Sequence, residues 1–159
     1  QNGCGKSTLI KLIMGNLEPK SGSIKLNGHA VYLDQDLSLL SKDKTILENM
    51  LDFNPGIKIQ DAHAILANFK FRNLLADKKT AFLSGGELLR ASLAVMLGTP
   101  KQPELIILDE PTNNLDLQSV KVLEDALKQY QGALIVVSHD NYFIQQIGIT
   151  KKLSLKEVY

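Results

Sequence analysis

The sequence predicts an α/β protein, a mostly parallel β-sheet flanked by helices with a helical segment inserted between its strands. Three observations predict it. Two runs, Leu105-Ile106-Ile107-Leu108 and Ala133-Leu134-Ile135-Val136-Val137, are apolar at every position, as strands covered on both faces are. A helical pattern separates them, and such β-α alternation builds parallel sheets. The chain also opens on Gln1-Asn2-Gly3-Cys4-Gly5-Lys6-Ser7-Thr8, whose end fits the phosphate-binding pattern G-x-x-x-x-G-K-[ST].

That opening comes first in the chain and in the chemistry. Gly3 and Gly5 let backbone N–H groups approach a phosphate with no Cβ in the way. The helix starting near Lys6 adds unpaired N–H groups and the positive end of its dipole. Lys6 is suited to the β- and γ-phosphates of a nucleotide and the Ser7 hydroxyl to Mg²⁺. A glycine-rich turn with a helix N-cap is the plainer alternative for the same residues. The first glycine of the pattern falls one place before Gln1.

Leu9, Ile10, Leu12, Ile13 and Met14 then give a helix apolar around much of its circumference, which predicts a buried one. Gly15 and the run Glu18-Pro19-Lys20-Ser21-Gly22 end it. Ser23-Ile24-Lys25-Leu26 alternates as a short strand, turned by Asn27-Gly28, and Ala30-Val31-Tyr32-Leu33 reads as a second.

From Leu37 to about Leu97 the period is helical. Thr45-Ile46-Leu47-Glu48 is a capping box opening a helix to about Phe53, which Asn54-Pro55-Gly56 stops. A helix from about Gln60 to Phe71 carries Ala64, Ile65 and Leu66 toward a core. Leu83-Ser84-Gly85-Gly86-Glu87 opens a long helix closed by Gly98-Thr99-Pro100, and Ser84-x-x-Glu87 is itself a capping box. After the first apolar strand, Leu117 to Tyr130 is amphipathic, with Val120, Leu123 and Leu127 on one stripe. The second apolar strand, a short helix through Phe143 and Ile144, and a strand near Leu153–Leu155 finish the chain.

Composition excludes several classes. The 159 residues are one domain's worth. Lys plus Arg number 18 against 17 for Asp plus Glu, so charge gives no case for nucleic-acid or membrane binding by this segment. The single cysteine, Cys4, leaves no disulfide partner within the chain and fits a reducing compartment. No apolar run is long enough to span a bilayer, so no membrane insertion is expected. These features predict a cytoplasmic protein.

Ligands of open α/β sheets gather at the carboxyl ends of the strands. Gln35, Asp109-Glu110 and His139 all fall at such ends. Singly, each has an ordinary explanation as a loop residue, a helix cap or a structural histidine. Together with a phosphate loop they form a constellation: Asp109 joins Ser7 in holding Mg²⁺, Glu110 polarises water, and His139 positions the γ-phosphate and its attacking water.

With these motifs the chain resembles an ATP-binding-cassette (ABC) ATPase domain over nearly its whole length. Its phosphate loop is Gln1 to Thr8, its Q-loop glutamine Gln35, its signature Leu83-Ser84-Gly85-Gly86-Glu87, its Walker B run Leu105 to Glu110, its D-loop Asn114-Leu115-Asp116 and its switch histidine His139. The resemblance implies a P-loop NTPase (RecA-like) core of residues 1–36 and 98–159 with a helical ABC subdomain of 37–97. It implies ATP and Mg²⁺ as cofactors. Nucleotide would be bound by Asn2, Gly3, Cys4, Gly5, Lys6, Ser7, Thr8, Gln35, Ser84, Gly85, Gly86 and Asp116, metal by Ser7, Gln35 and Asp109, with Glu110 and His139 catalytic. It also implies that Ser84, Gly85 and Gly86 face the γ-phosphate of ATP held by a second ABC domain, in the same polypeptide or in a dimer.

Within the family the chain is most similar to the ABC-F subfamily, whose members carry two ABC domains, lack a membrane span and act on the ribosome. The runs that carry this are Tyr32-Leu33-Asp34-Gln35, Glu110-Pro111-Thr112-Asn113-Asn114-Leu115-Asp116 and Ser138-His139-Asp140-Asn141-Tyr142-Phe143, and the short separation of Lys6 from Ser84. The closing Ile147 to Leu155 resembles the end of a C-terminal ABC domain. Measured against the family, the first loop glycine, the strand feeding the loop and a preceding β-subdomain are missing. The expectation is therefore a fragment, weak or inactive as an ATPase alone, with apolar surface exposed on Ile106, Ile135 and their neighbours. Two other readings share the motifs. A transporter ATPase subunit needs a coupling surface between Leu37 and Ala81, and no run there marks one; a non-hydrolysing nucleotide-gated scaffold is disfavoured by Glu110 and His139.

Overall fold

A computed structural model describes residues 5–99 and 101–155. Its centre is a parallel sheet of β1 (Ala30–Leu33), β2 (Leu105–Asp109) and β3 (Ala133–Val137), in that spatial order. The register sets Leu33 opposite Leu108 and Asp109 opposite Val137, so the three carboxyl ends open on one edge. The remaining elements are α1 (Lys6–Ile13), α2 (Ile46–Phe53), α3 (Ile59–Asn68), α4 (Gly85–Leu97), α5 (Leu117–Gln129) and α6 (Asn141–Gln146), with 3₁₀ turns at Asn73–Leu75 and Thr80–Phe82.

Strand side chains alternate between faces, and the two faces of this sheet have different covers. Val31, Leu33, Ile106 and Leu108 pack with Leu89, Leu93 and Met96 of α4, Leu123 and Leu127 of α5 and Phe143 of α6. On the opposite face Leu105 and Ile107 meet Ile10 of α1, with Tyr32 and Ile135 alongside. A second core joins α2, α3 and α4 through Ile46, Met50, Ala62, Leu66, Ala91 and Val95. The helix α4 therefore belongs to both cores, one face toward the sheet and one toward the helical segment. Both predicted capping boxes form: Thr45 with Glu48, and Ser84 with Glu87.

Several expectations fail for definite reasons. Ser23–Leu26 and Leu153–Leu155 form no strand, because no partner strand stands beside them among the described residues; Ile24 and Leu26 are exposed instead. In α1 only Ile10 is buried, since the helix covers a single narrow face. In α3 the helical period turns Ala62 and Leu66 inward and leaves Ala64 exposed. Ile106 is fully buried rather than exposed, because β2 is the central strand with helices on both faces. Exposure falls on β3 instead: among the described residues it pairs with β2 alone, Ala133 is exposed, and Leu134 to Val137 are only half-buried.

Candidate functional site

Gly5 caps α1 with a left-handed backbone (φ 88°), the conformation that glycine adopts without cost. This turn puts Lys6 and Ser7 in the helix's first turn, where backbone N–H groups have no intrahelical partner. Asn2, Gly3 and Cys4, the rest of the predicted loop, lie outside the described residues. Thr8 is exposed one residue further along.

At the edge opened by the strands, β2 ends on Asp109 and the chain turns sharply. Glu110 takes a left-handed backbone (φ 48°), rare for a side chain with a Cβ. The turn is tied back by its own N–H, which donates to the Val137 carbonyl of β3 at 2.7 Å. It aims the carboxylate at the end of β3, where Oε1 lies 3.4 Å from His139 Nε2. Oε2 also accepts the His139 backbone N–H at 3.3 Å. Glu110 is largely shielded while the imidazole is 73% exposed, so the carboxylate is sheltered and its partner faces outward.

Asp109 points to the opposite side of β2. Its Oδ2 accepts the Tyr32 hydroxyl from β1 at 3.1 Å, and Oδ1 takes no hydrogen bond from a described residue. Burial, with the charge of Asp109 and that hydrogen bond adding to it, pushes the Tyr32 phenol up to about 12. A hard carboxylate with an open oxygen, in a chain whose α1 carries the Ser7 hydroxyl in its first turn, is a donor set suited to Mg²⁺, which takes one or two protein oxygens and completes its shell from phosphate and water. Gln35 is exposed two residues beyond β1.

The predicted residues Ser84, Gly85 and Gly86 stand apart from this edge. Ser84 caps α4, its hydroxyl accepting from the Glu87 N–H at 3.3 Å and its N–H donating to the Glu87 carboxylate at 2.8 Å. That donation, helped by Lys78, holds the Glu87 carboxyl below the usual range. Gly86 packs on α5 so closely that an added Cβ would lie 2.4 Å from Ser119 Oγ and 3.8 Å from Asp116 Oδ2. Asp116 itself caps α5, accepting the Ser119 N–H at 2.7 Å, and that bond holds its carboxyl low. No hydrogen bond among the described residues joins Ser84, Gly85 or Gly86 to Lys6, Ser7, Asp109 or Glu110.

Sequence reasoning gave a site role to neither Tyr32 nor Ser119. A tyrosine on a buried strand face signals that its hydroxyl needs a partner, but only the strand register identifies Asp109. The signal for Ser119 was weaker still, a small polar residue three places after a capping aspartate.

Comparison with known proteins agrees with this architecture. The family model described as "ABC transporter" matches residues 1–113. ABC transporter F family member 5 of Arabidopsis thaliana is 43% identical over 150 residues, 92% of this chain and 21% of that protein. ATP-binding protein Uup of Haemophilus influenzae is 42% identical over 149 residues, 90% of this chain and 23% of that protein. Among solved structures, RNase-L Inhibitor superposes with a TM-score of 0.65 at 26% identity, covering 92% of this chain and 29% of that one. The chain thus spans under a quarter of the length of these two curated relatives.

Proposed function

The chain belongs to the ABC transporter family, and from that premise we propose that it binds and hydrolyses ATP as one domain of an ABC-F type, ribosome-associated ATPase. The observation that carries the chemistry is the Glu110–His139 pair at the carboxyl edge of a parallel sheet whose first helix begins with Lys6 and Ser7. Lys6 and the N–H groups opening α1 bind the phosphates. Ser7, Asp109 and Gln35 would hold Mg²⁺, which supplies neutralisation of charge on the β- and γ-phosphates. Glu110 takes the proton of the attacking water, and His139 keeps that carboxylate directed and contacts the γ-phosphate.

Residues 37–97 form the helical subdomain in this reading, and 1–36 with 98–159 the catalytic core. Ser84, Gly85 and Gly86, being exposed or half-buried and unconnected to the domain's own catalytic edge, are free to meet ATP on a second ABC domain. The relatives named ABC transporter F family member support the ABC-F reading, and the ribosomal role in the cytoplasm is proposed with it. No helix among the described residues is long and apolar enough to cross a membrane.

One observation favours a second reading, the ATPase subunit of a transporter. Leu74 (84% exposed) and Phe82 (72%) stand out on the helical segment, where a membrane partner would dock. Sedimentation of the full-length protein carrying Glu110→Gln, with ATP and with ADP, separates the two. ATP-dependent recovery with ribosomes supports the ABC-F reading. Recovery with membranes supports the transporter reading, and recovery with neither removes both in favour of a scaffold.

A further inference from the structure

We propose that Tyr32 is a positioning residue for Mg²⁺: its hydroxyl fixes the Asp109 carboxylate so that one oxygen is presented to the ion. The inference rests on the nucleotide-binding reading above and concerns how the same site is assembled.

The strand register makes the contact. Tyr32 stands opposite Ile107 across the β1–β2 ladder, and Asp109 lies two residues beyond Ile107 on the same face. Diagonal neighbours on adjacent strands are within reach of a long side chain. The Tyr32 hydroxyl spans this diagonal and donates to Asp109 Oδ2 at 3.1 Å. The ring is held on the face covered by α1, in the cluster of Ile10, Leu105 and Ile107. The donor is therefore fixed by packing under the helix whose first turn carries Lys6 and Ser7.

A carboxylate at a strand end is otherwise able to rotate about its last torsion. One oxygen tied to a packed phenol leaves the other as the free acceptor, and Oδ1 takes no hydrogen bond from the described residues. Partners that orient a metal ligand commonly matter almost as much as the ligand. Leu and Phe fill a strand as well as Tyr, so packing alone does not require the hydroxyl; the hydroxyl's only hydrogen bond among the described residues is to Asp109.

The test is Tyr32→Phe in the full-length protein, which keeps the ring and removes the donor. Binding of a fluorescent, non-hydrolysable ATP analogue is measured in EDTA and across a Mg²⁺ titration. The expected result is unchanged affinity in EDTA and a rise of about tenfold in the Mg²⁺ concentration that gives half the binding enhancement. In an Asp109→Asn background, Tyr32→Phe should add nothing further. An unchanged Mg²⁺ midpoint, or an equal loss of affinity with and without Mg²⁺, overturns the inference, the second outcome marking a merely structural role. A parent protein that binds no analogue under either condition overturns the nucleotide reading and this inference with it.

Discussion

Glu110 and His139 are joined twice, side chain to side chain at 3.4 Å and backbone N–H to carboxylate at 3.3 Å. The contact exists because Glu110 holds a left-handed backbone immediately after β2. Such a conformation costs about 1–3 kcal/mol and persists where surrounding contacts over-determine it. Here the Glu110 N–H bond to Val137 supplies one of them. A turn in the ordinary region would aim the carboxylate elsewhere and lose both contacts to His139.

Substitutions at this site should separate binding from turnover. Glu110→Gln preserves shape, so ATP binding stays within about twofold while turnover falls on the order of 100-fold or more, the usual range for a general base. Lys6→Ala should instead weaken ATP binding itself. Nucleotide-binding titrations alongside phosphate-release rates in the full-length protein decide this; if both variants merely halved turnover, the assigned roles would be wrong.

The contact of Gly86 with Ser119 joins α4 to α5 at their N-termini, and it leaves no room for a methyl group. Gly86→Ala should cost about 1–3 kcal/mol of stability through overpacking. Removing the opposing hydroxyl as well, in Gly86→Ala/Ser119→Ala, should restore part of that loss. Urea denaturation of the parent, both single variants and the double variant gives the coupling; strict additivity would show that the two helices do not meet there.

Gly98 follows α4 and lets α3 approach: a Cβ there would lie 2.2 Å from Ile65 Cγ2. Its backbone is ordinary (φ −72°), so the penalty for Gly98→Ala is steric and not torsional. The expected loss is about 1–3 kcal/mol, and Ile65→Leu in the same chain, which removes the Cγ2 branch, should recover some of it. Melting temperatures of the three variants test the assignment, and a Gly98→Ala protein as stable as the parent would refute it.

Acid should loosen α4 through Glu87. Its carboxyl is held low in the folded protein by the Ser84 N–H, so its stabilising effect is full above the unfolded value near 4.5. It is lost as pH falls from there through the lower folded value. Glu87→Gln retains a side chain able to cap the helix but cannot titrate. Denaturation curves at neutral pH and near pH 3 should therefore converge between parent and variant on the acid side, and a parallel offset at both pH values would exclude the mechanism.

The sequence by itself determined the parallel sheet's apolar strands, both capping boxes and the order of motifs, because each rests on contacts within a few residues or on a local period. The all-apolar run Leu105–Leu108 marks a buried strand in any context, and Ser84-x-x-Glu87 closes its own hydrogen bonds. The same reasoning failed at Ser23–Leu26, where alternation is real but a strand needs a neighbour to bond. It also placed exposure on Ile106, although that residue lies on the central strand. Only the tertiary structure decided that, among the described residues, β2 is flanked on both sides while β3 is paired on one. Only the register brought Tyr32 to Asp109, and only the left-handed turn at Glu110 brought its carboxylate to His139. These are contacts 77 and 29 residues apart in the chain, beyond the reach of any local pattern, and they exist because packing on both faces of the sheet fixes which strand ends lie side by side.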